Sequence, residues 1–208
     1  MRPTTPLPVL FVFGLALVFA PSVYAEEADP VSLEPYVASA EEVKPHGYEV
    51  ILPGDPRFLA HTLGHFGMKP LAEEPLAAGE ERFRFLWLRS FHRAALLELR
   101  FTADGTGAYE AKLWEDTPDG GHWVVQRTVA LSASDRAGHR KSLERLSFFT
   151  LPFDDGRQGL DGATWLFEAR DSERSHAVHR WSPEPGALRQ FGVSLIETAI
   201  PNEFLPIY

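Results

Sequence analysis

Glu168 and His179 are the side chains of this sequence whose types and spacing best suit acid/base chemistry. They lie on two stretches of period-two alternation, Thr164–Arg170 and Ser175–Trp181, joined by a turn at Asp171–Arg174. Pairing Asp171 with Arg174 sets Trp165 opposite Arg180, Leu166 opposite His179, Phe167 opposite Val178 and Glu168 opposite Ala177. Glu168 and His179 are then diagonal neighbours on one face, with Trp181 further along it. A carboxylate beside an imidazole raises the histidine's pKa and can build a proton-transferring couple. Asp161 and His176 would complete such a catalytic set. The opposite face sets Trp165 beside Arg180, the geometry of a cation–π contact, so Trp165, Arg180 and Trp181 are the candidate binding residues. The competing account is structural, because ion pairs across strands are common and catalytic pairs rare.

Three further constellations point to chemistry more weakly. His61 and His65 have the i, i+4 spacing of two metal ligands on a helix, but Thr62 stands where the zinc-protease pattern wants glutamate. Two histidines flanking an apolar stripe explain them as well. Asp154, Asp155 and Asp161 fall in a glycine-rich loop, yet their spacing matches no calcium-loop pattern and reads as a solvated turn. Ser194 follows Gly192 without the second glycine of a nucleophile elbow, so helix packing accounts for it better. The sequence contains no Walker loop, dinucleotide fingerprint or HExxH, and no cofactor is expected.

The elements that must position these residues follow from periodicity and turn chemistry. From Arg82 the pattern has period two: Phe83, Phe85 and Trp87, then Ala95, Leu97, Leu99 and Phe101, alternate with charged or smaller neighbours. Turns at Asp104–Gly107 and Pro118–Gly121 predict two more strands, Ala108–Glu115 and His122–Leu131, completing a four-strand meander. Ser132 and Asp135 form a capping box that opens a helix over Ala133–Phe149. A C-terminal hairpin over Thr164–Trp181 follows, then a helix opened by Ser182-Pro183-Glu184-Pro185. The expected fold is α+β, a mainly antiparallel sheet with two or three packing helices. Residues 26–79 are rich in proline and acid and read as an irregular arm with one short helix, Pro56–Phe66; the α+β domain spans 80–208.

The stretch Gly159–Pro183 reads GLDGATWLFE, a short turn, and HAVHRWSP. It resembles a group of uncharacterised exported bacterial proteins in which a glycine-aspartate-glycine loop leads into a tryptophan and glutamate strand. A histidine, arginine and tryptophan strand and a proline follow. The likeness extends weakly to FRFLWLRSF at Phe83–Phe91. It implies an export-linked domain and carries over no catalytic residue.

The N-terminus carries the order of a cleavable signal peptide over 1–25. Arg2 precedes a 14-residue apolar run, Leu7–Ala20, and Val23-Tyr24-Ala25 suits a signal peptidase. That run is shorter than the roughly 20 residues a spanning helix needs, so no membrane span is expected after signal removal. Without cysteine there is no disulfide framework and no thiolate site. The formal charge is −9, which argues against nucleic acid as a partner. Arginine far outnumbers lysine, a bias of GC-rich bacterial genomes. These features predict a periplasmic or secreted bacterial protein. It reads as a non-catalytic binding module whose partner is an envelope protein or a small ligand. The alternative is a hydrolytic or metal-assisted enzyme centred on Glu168 and His179. Side chains converging in a concave pocket would favour the enzyme, and side chains splayed along a sheet the module.

Overall fold

Large apolar residues recur at every second position from Phe83 to Trp87, and the backbone obeys that period. In a computed structural model, which describes Asp55 and residues 57–118, 120–159 and 161–199, six strands form one antiparallel sheet. They are β1 (Glu81–Arg89), β2 (Ala95–Phe101), β3 (Gly107–Thr117), β4 (Gly120–Leu131), β5 (Ala163–Arg170) and β6 (Ser175–Trp181). The spatial order is β4-β3-β2-β1-β5-β6, so the C-terminal hairpin adds to the open edge of β1. With three helices, α1 (Phe58–His65), α2 (Ala133–Arg145) and α3 (Ala187–Ala199), this is an α+β fold. The expected signal peptide, 1–25, and residues 26–54 of the expected arm lie outside the described residues.

One sheet face carries the main core. Phe85, Trp87, Trp165, Phe167 and Val178 are fully buried beneath α2, α3 and a 3₁₀ turn at Phe148–Thr150. Trp87, Leu99, Leu113, Trp165 and Phe167 are buried, and Phe191 packs against this core half-buried. Gly192 lets α3 approach closely, because a Cβ built there would overlap the ring of Trp165.

Helix ends differ from the sequence reading for local reasons. Ser132 and Asp135 form the expected capping box of α2, but Ser147 takes a left-handed backbone and the helix stops at Arg145. Pro183 and Pro185 disfavour helical geometry in the residues before them, so α3 starts at Ala187 rather than at Pro183. Asp55 does not cap α1 directly. Its carboxylate accepts from the Arg57 N–H at 2.8 Å, and the helix begins one residue later.

The second sheet face is covered by the described part of the arm. Leu63 of α1 is buried against Leu86, Leu96 and Leu166, with Leu59 and Phe66 packed around them. Beyond α1, Leu71 is buried and its N–H bonds to a strand side chain. Residues 57–79 and the strands belong to one compact unit. Among the described residues no helix is long and apolar enough to cross a membrane.

Candidate functional site

The hairpin of β5 and β6 pairs as its turn requires. Trp165 faces Arg180, Leu166 faces His179 and Glu168 faces Ala177, and the Asp171 N–H bonds to the Arg174 carbonyl at 3.0 Å. Glu168 and His179 therefore share the second face, but each carboxylate and imidazole has found another partner.

Glu168 Oε2 accepts from Arg84 Nη1 at 3.0 Å and Oε1 from the Leu71 N–H at 2.7 Å. The pair is buried to within 3% of its side-chain surface on both sides. Burial pushes the Glu168 carboxyl up, and Arg84 and the Leu71 N–H pull it back. Glu168, Arg84, Glu98 and Glu110 are successive cross-strand neighbours on β5, β1, β2 and β3. Lys112 bridges the last two carboxylates, and Glu74 from the arm binds both Arg82 and Arg84. This alternating row ties the arm to the sheet. It consumes the acceptor sites that proton transfer would require.

The carboxylate on His179 is Asp154. Its Oδ2 lies 2.5 Å from Nδ1, and the same loop offers the Phe153 carbonyl to the His179 N–H. Burial holds the imidazole below its ordinary pKa while Asp154 works to raise it. Nε2 is buried without a hydrogen-bond partner, and Phe58 of α1 meets the ring edge-on at 5.0 Å. A neutral imidazole held by a carboxylate resembles a general base in composition, but solvent cannot reach its free nitrogen.

The remaining candidates are dispersed. His176 sits on the opposite face, where Nε2 lies 2.8 Å from the Leu151 carbonyl, and burial lowers its pKa. Asp161 is exposed in the loop before β5. His61 and His65 are exposed on α1, and no group of three metal-ligating side chains occurs among the described residues. Arg180 donates to the carbonyls of Pro152 and Phe153, and Arg189 lies over the Trp165 ring, 6.0 Å from its centroid. Ser194 donates to the Phe191 carbonyl within α3.

The GLDG and RWSP segments form a clasp. Cβ atoms built at Gly159 and Gly162 would strike the Trp181 ring and Ser182 Oγ, while Ser182 Oγ accepts from the Ala163 N–H at 2.9 Å. Trp181 thus serves loop packing.

A concavity of about 550 Å³ opens instead on the main-core face, between α2 and the strand ends near the β5–β6 turn. Phe83, Phe101, Phe148 and Phe149 line it together with His139, a residue the sequence reading passed over. The His139 ring lies among Phe83, Phe101 and Phe191, with centroids at 4.9, 5.9 and 5.9 Å. Burial pushes its pKa down to about 4. At one wall, Glu81 is clamped between Arg136 and Arg140 of α2. Burial acts to raise the Glu81 carboxyl, but the two guanidinia outweigh it and hold it below the usual range. His139 falls one helical turn before Leu143 on the apolar stripe of α2, the sequence signal that could have found it.

No protein-family model matches the chain, and a search of curated proteins returns no match.

Proposed function

We propose that this chain is an exported, non-catalytic binding module of the bacterial envelope, periplasmic or secreted after removal of residues 1–25. The observation that carries the reading is a separation. The concave cleft lies on the main-core face of the sheet, whereas Glu168 and His179 lie on the other, beneath α1 and residues 71–74. Glu168 and His179 are each already bonded within the fold, and a reacting group could reach neither Glu168 nor Nε2 of His179 without unpacking the arm. An aromatic-floored cleft with charged walls suits recognition. The signal-like N-terminus and the likeness over Gly159–Pro183 support export.

Two measurements test this. N-terminal sequencing of protein recovered from the periplasm or medium should begin at Glu26; a start at Met1 overturns export. Protein purified from that source should show no turnover in a broad hydrolase screen and should bring down a specific partner. That association should be lost in Thr150→Trp, which fills the cleft from its exposed rim. Turnover that disappears in Glu168→Gln or His179→Gln with the fold intact would replace the module by the enzyme.

A further inference from the structure

The sheet treats its two edges differently. At β6 the loop before β5 runs alongside the strand, and its Phe153 carbonyl accepts the His179 N–H while the Leu151 carbonyl meets His176 Nε2. At β4 no other described segment pairs with the outer side. Edge strands are ordinarily blunted by lysine, proline or a bulge, since their unpaired backbone groups accept foreign strands. β4 has neither lysine nor proline over its twelve residues. Arg127 is its one charged side chain, and none of the chain's 29 acidic residues falls on it. Half of the Val125 surface is exposed.

Which backbone groups of β4 point outward follows from the far side of β3. The Trp114 N–H bonds to the Ala94 carbonyl, and the Thr102 N–H to the Thr106 carbonyl, so Tyr109 and Ala111 aim their polar groups at β4. Their partners Val129 and Arg127 point inward; Thr128, Ala130 and Trp123 point outward. The register shifts between Ala111 and Lys112, which leaves Gln126 outside the ladder. Arg127 and Val124, opposite Ala111 and Leu113, therefore lie on the main-core face, and Thr128 and Trp123, opposite Glu110 and Trp114, on the other.

We propose that β4 pairs antiparallel with β4 of a second copy, joining two sheets across a two-fold axis between Val125 and Gln126. In this register Thr128 of one copy faces Trp123 of the other, outward group against outward group, an aromatic pair with a β-branched residue. Arg127 faces Val124. Each pair shares a sheet face, the two bulges meet at the axis, and no like charges oppose each other. That self-match over the whole strand, without an acidic residue in a chain of charge −9, selects a second copy over an unrelated strand. An isologous contact uses up the edge and closes at two copies. The proposal involves neither the cleft nor the hairpin candidates and goes beyond the binding-module reading.

The test is sedimentation velocity of the protein as recovered from the cell, over about 1–500 µM, the range suited to an interface smaller than about 800 Å² per partner. A reversible dimer is expected. Thr128→Pro removes an outward donor and leaves the bonds to β3 in place, so it should give a monomer with unchanged circular dichroism, whereas Thr128→Val should still dimerise. If Thr128→Pro fails to fold, Val125→Lys decides, and should weaken the dimer at least tenfold. The chain has no cysteine, so Val125→Cys supplies a single thiol beside the axis. A short bis-maleimide should join two chains through it and not through Arg145→Cys, exposed on α2. Monomer throughout, species larger than two, or a dimer that survives Thr128→Pro or Val125→Lys overturns the proposal. So does a foreign partner whose capture is lost in Thr128→Pro while the protein alone stays monomeric. Thr150→Trp should leave the dimer intact; its loss there would move the contact to the cleft.

Discussion

His179 Nδ1 and Asp154 Oδ2 meet at 2.5 Å across the outer edge of β6, joining the last strand to a loop 25 residues upstream. Burial depresses the imidazole pKa and Asp154 opposes that depression, so the two effects can be separated by substitution. Asp154→Asn should lower the His179 pKa further, while Glu168→Gln, which alters a carboxylate bonded to Arg84, should leave it nearly where it is. Histidine NMR titration decides between them. A larger response to Glu168→Gln than to Asp154→Asn would contradict the observed pairing.

Arg84 and Glu168 form the buried centre of the charged row. Glu168→Leu leaves the guanidinium with Glu74 and the more distant Glu98, and should cost about 3 kcal/mol in urea unfolding, the lower end for breaking a buried pair. The double variant Arg84→Met/Glu168→Leu should recover most of that loss, because no uncompensated charge then stays under the arm. A double variant as unstable as the single would show that the row stabilises the fold by more than mutual neutralisation.

What sequence reading could and could not see follows from distance along the chain. The β5–β6 register was set by a four-residue turn and a strict period of two, so the partners of Trp165, Leu166 and Glu168 emerged in full. The docking of β5 beside β1 is a long-range choice made after α2, and it brings Arg84 to Glu168 over 84 residues. No local pattern announces that contact. Glu168 and His179 share a face as expected, yet the loop at Asp154 and the arm at Leu71 supplied better partners than they offered each other. The ion pairs of the arm were beyond local pattern for a related reason: its prolines and acids indicate irregular backbone, but nothing near Glu74 in sequence shows that it will pair with Arg82 and Arg84. His139 was missed because a histidine on an apolar stripe breaks the hydrophobic count without breaking the helix.

Gly192 marks the closest approach of α3 to the sheet. Gly192→Ala would drive a methyl into Trp165 and towards Phe167, so overpacking should cost about 1 to 3 kcal/mol despite alanine's better helix propensity. Trp165→Ala empties the same site from the other side and should cost about 3 to 5 kcal/mol. Combining the two should cost less than their sum, since the truncated ring no longer opposes the new methyl. Additive losses in urea unfolding would show that the two residues do not share this space.

Acid sensitivity should be traceable to His139. Its folded pKa, about 4, lies below the unfolded reference of about 6.5, so the unfolded chain takes up the proton first as pH falls. The sign follows: the stability tied to its neutral ring is fully present above about pH 7 and is lost progressively as pH drops towards 4. Between pH 7 and pH 5 this one group should remove about 2 kcal/mol. His176 and His179, also depressed by burial, act in the same direction over that window. Glu74, Glu81 and Glu98, held below the usual carboxylate range, lose their contributions only at lower pH. His139→Leu keeps an apolar side chain among Phe83, Phe101 and Phe191 and has nothing to titrate. The expected result is a difference in unfolding free energy between pH 7 and pH 5 that shrinks by about 2 kcal/mol in the variant, whatever its stability at pH 7. An unchanged difference would mean that His139 charges freely in the folded protein, through water or a ligand group in the cleft, and would remove the desolvated wall on which the apolar floor of that cleft depends.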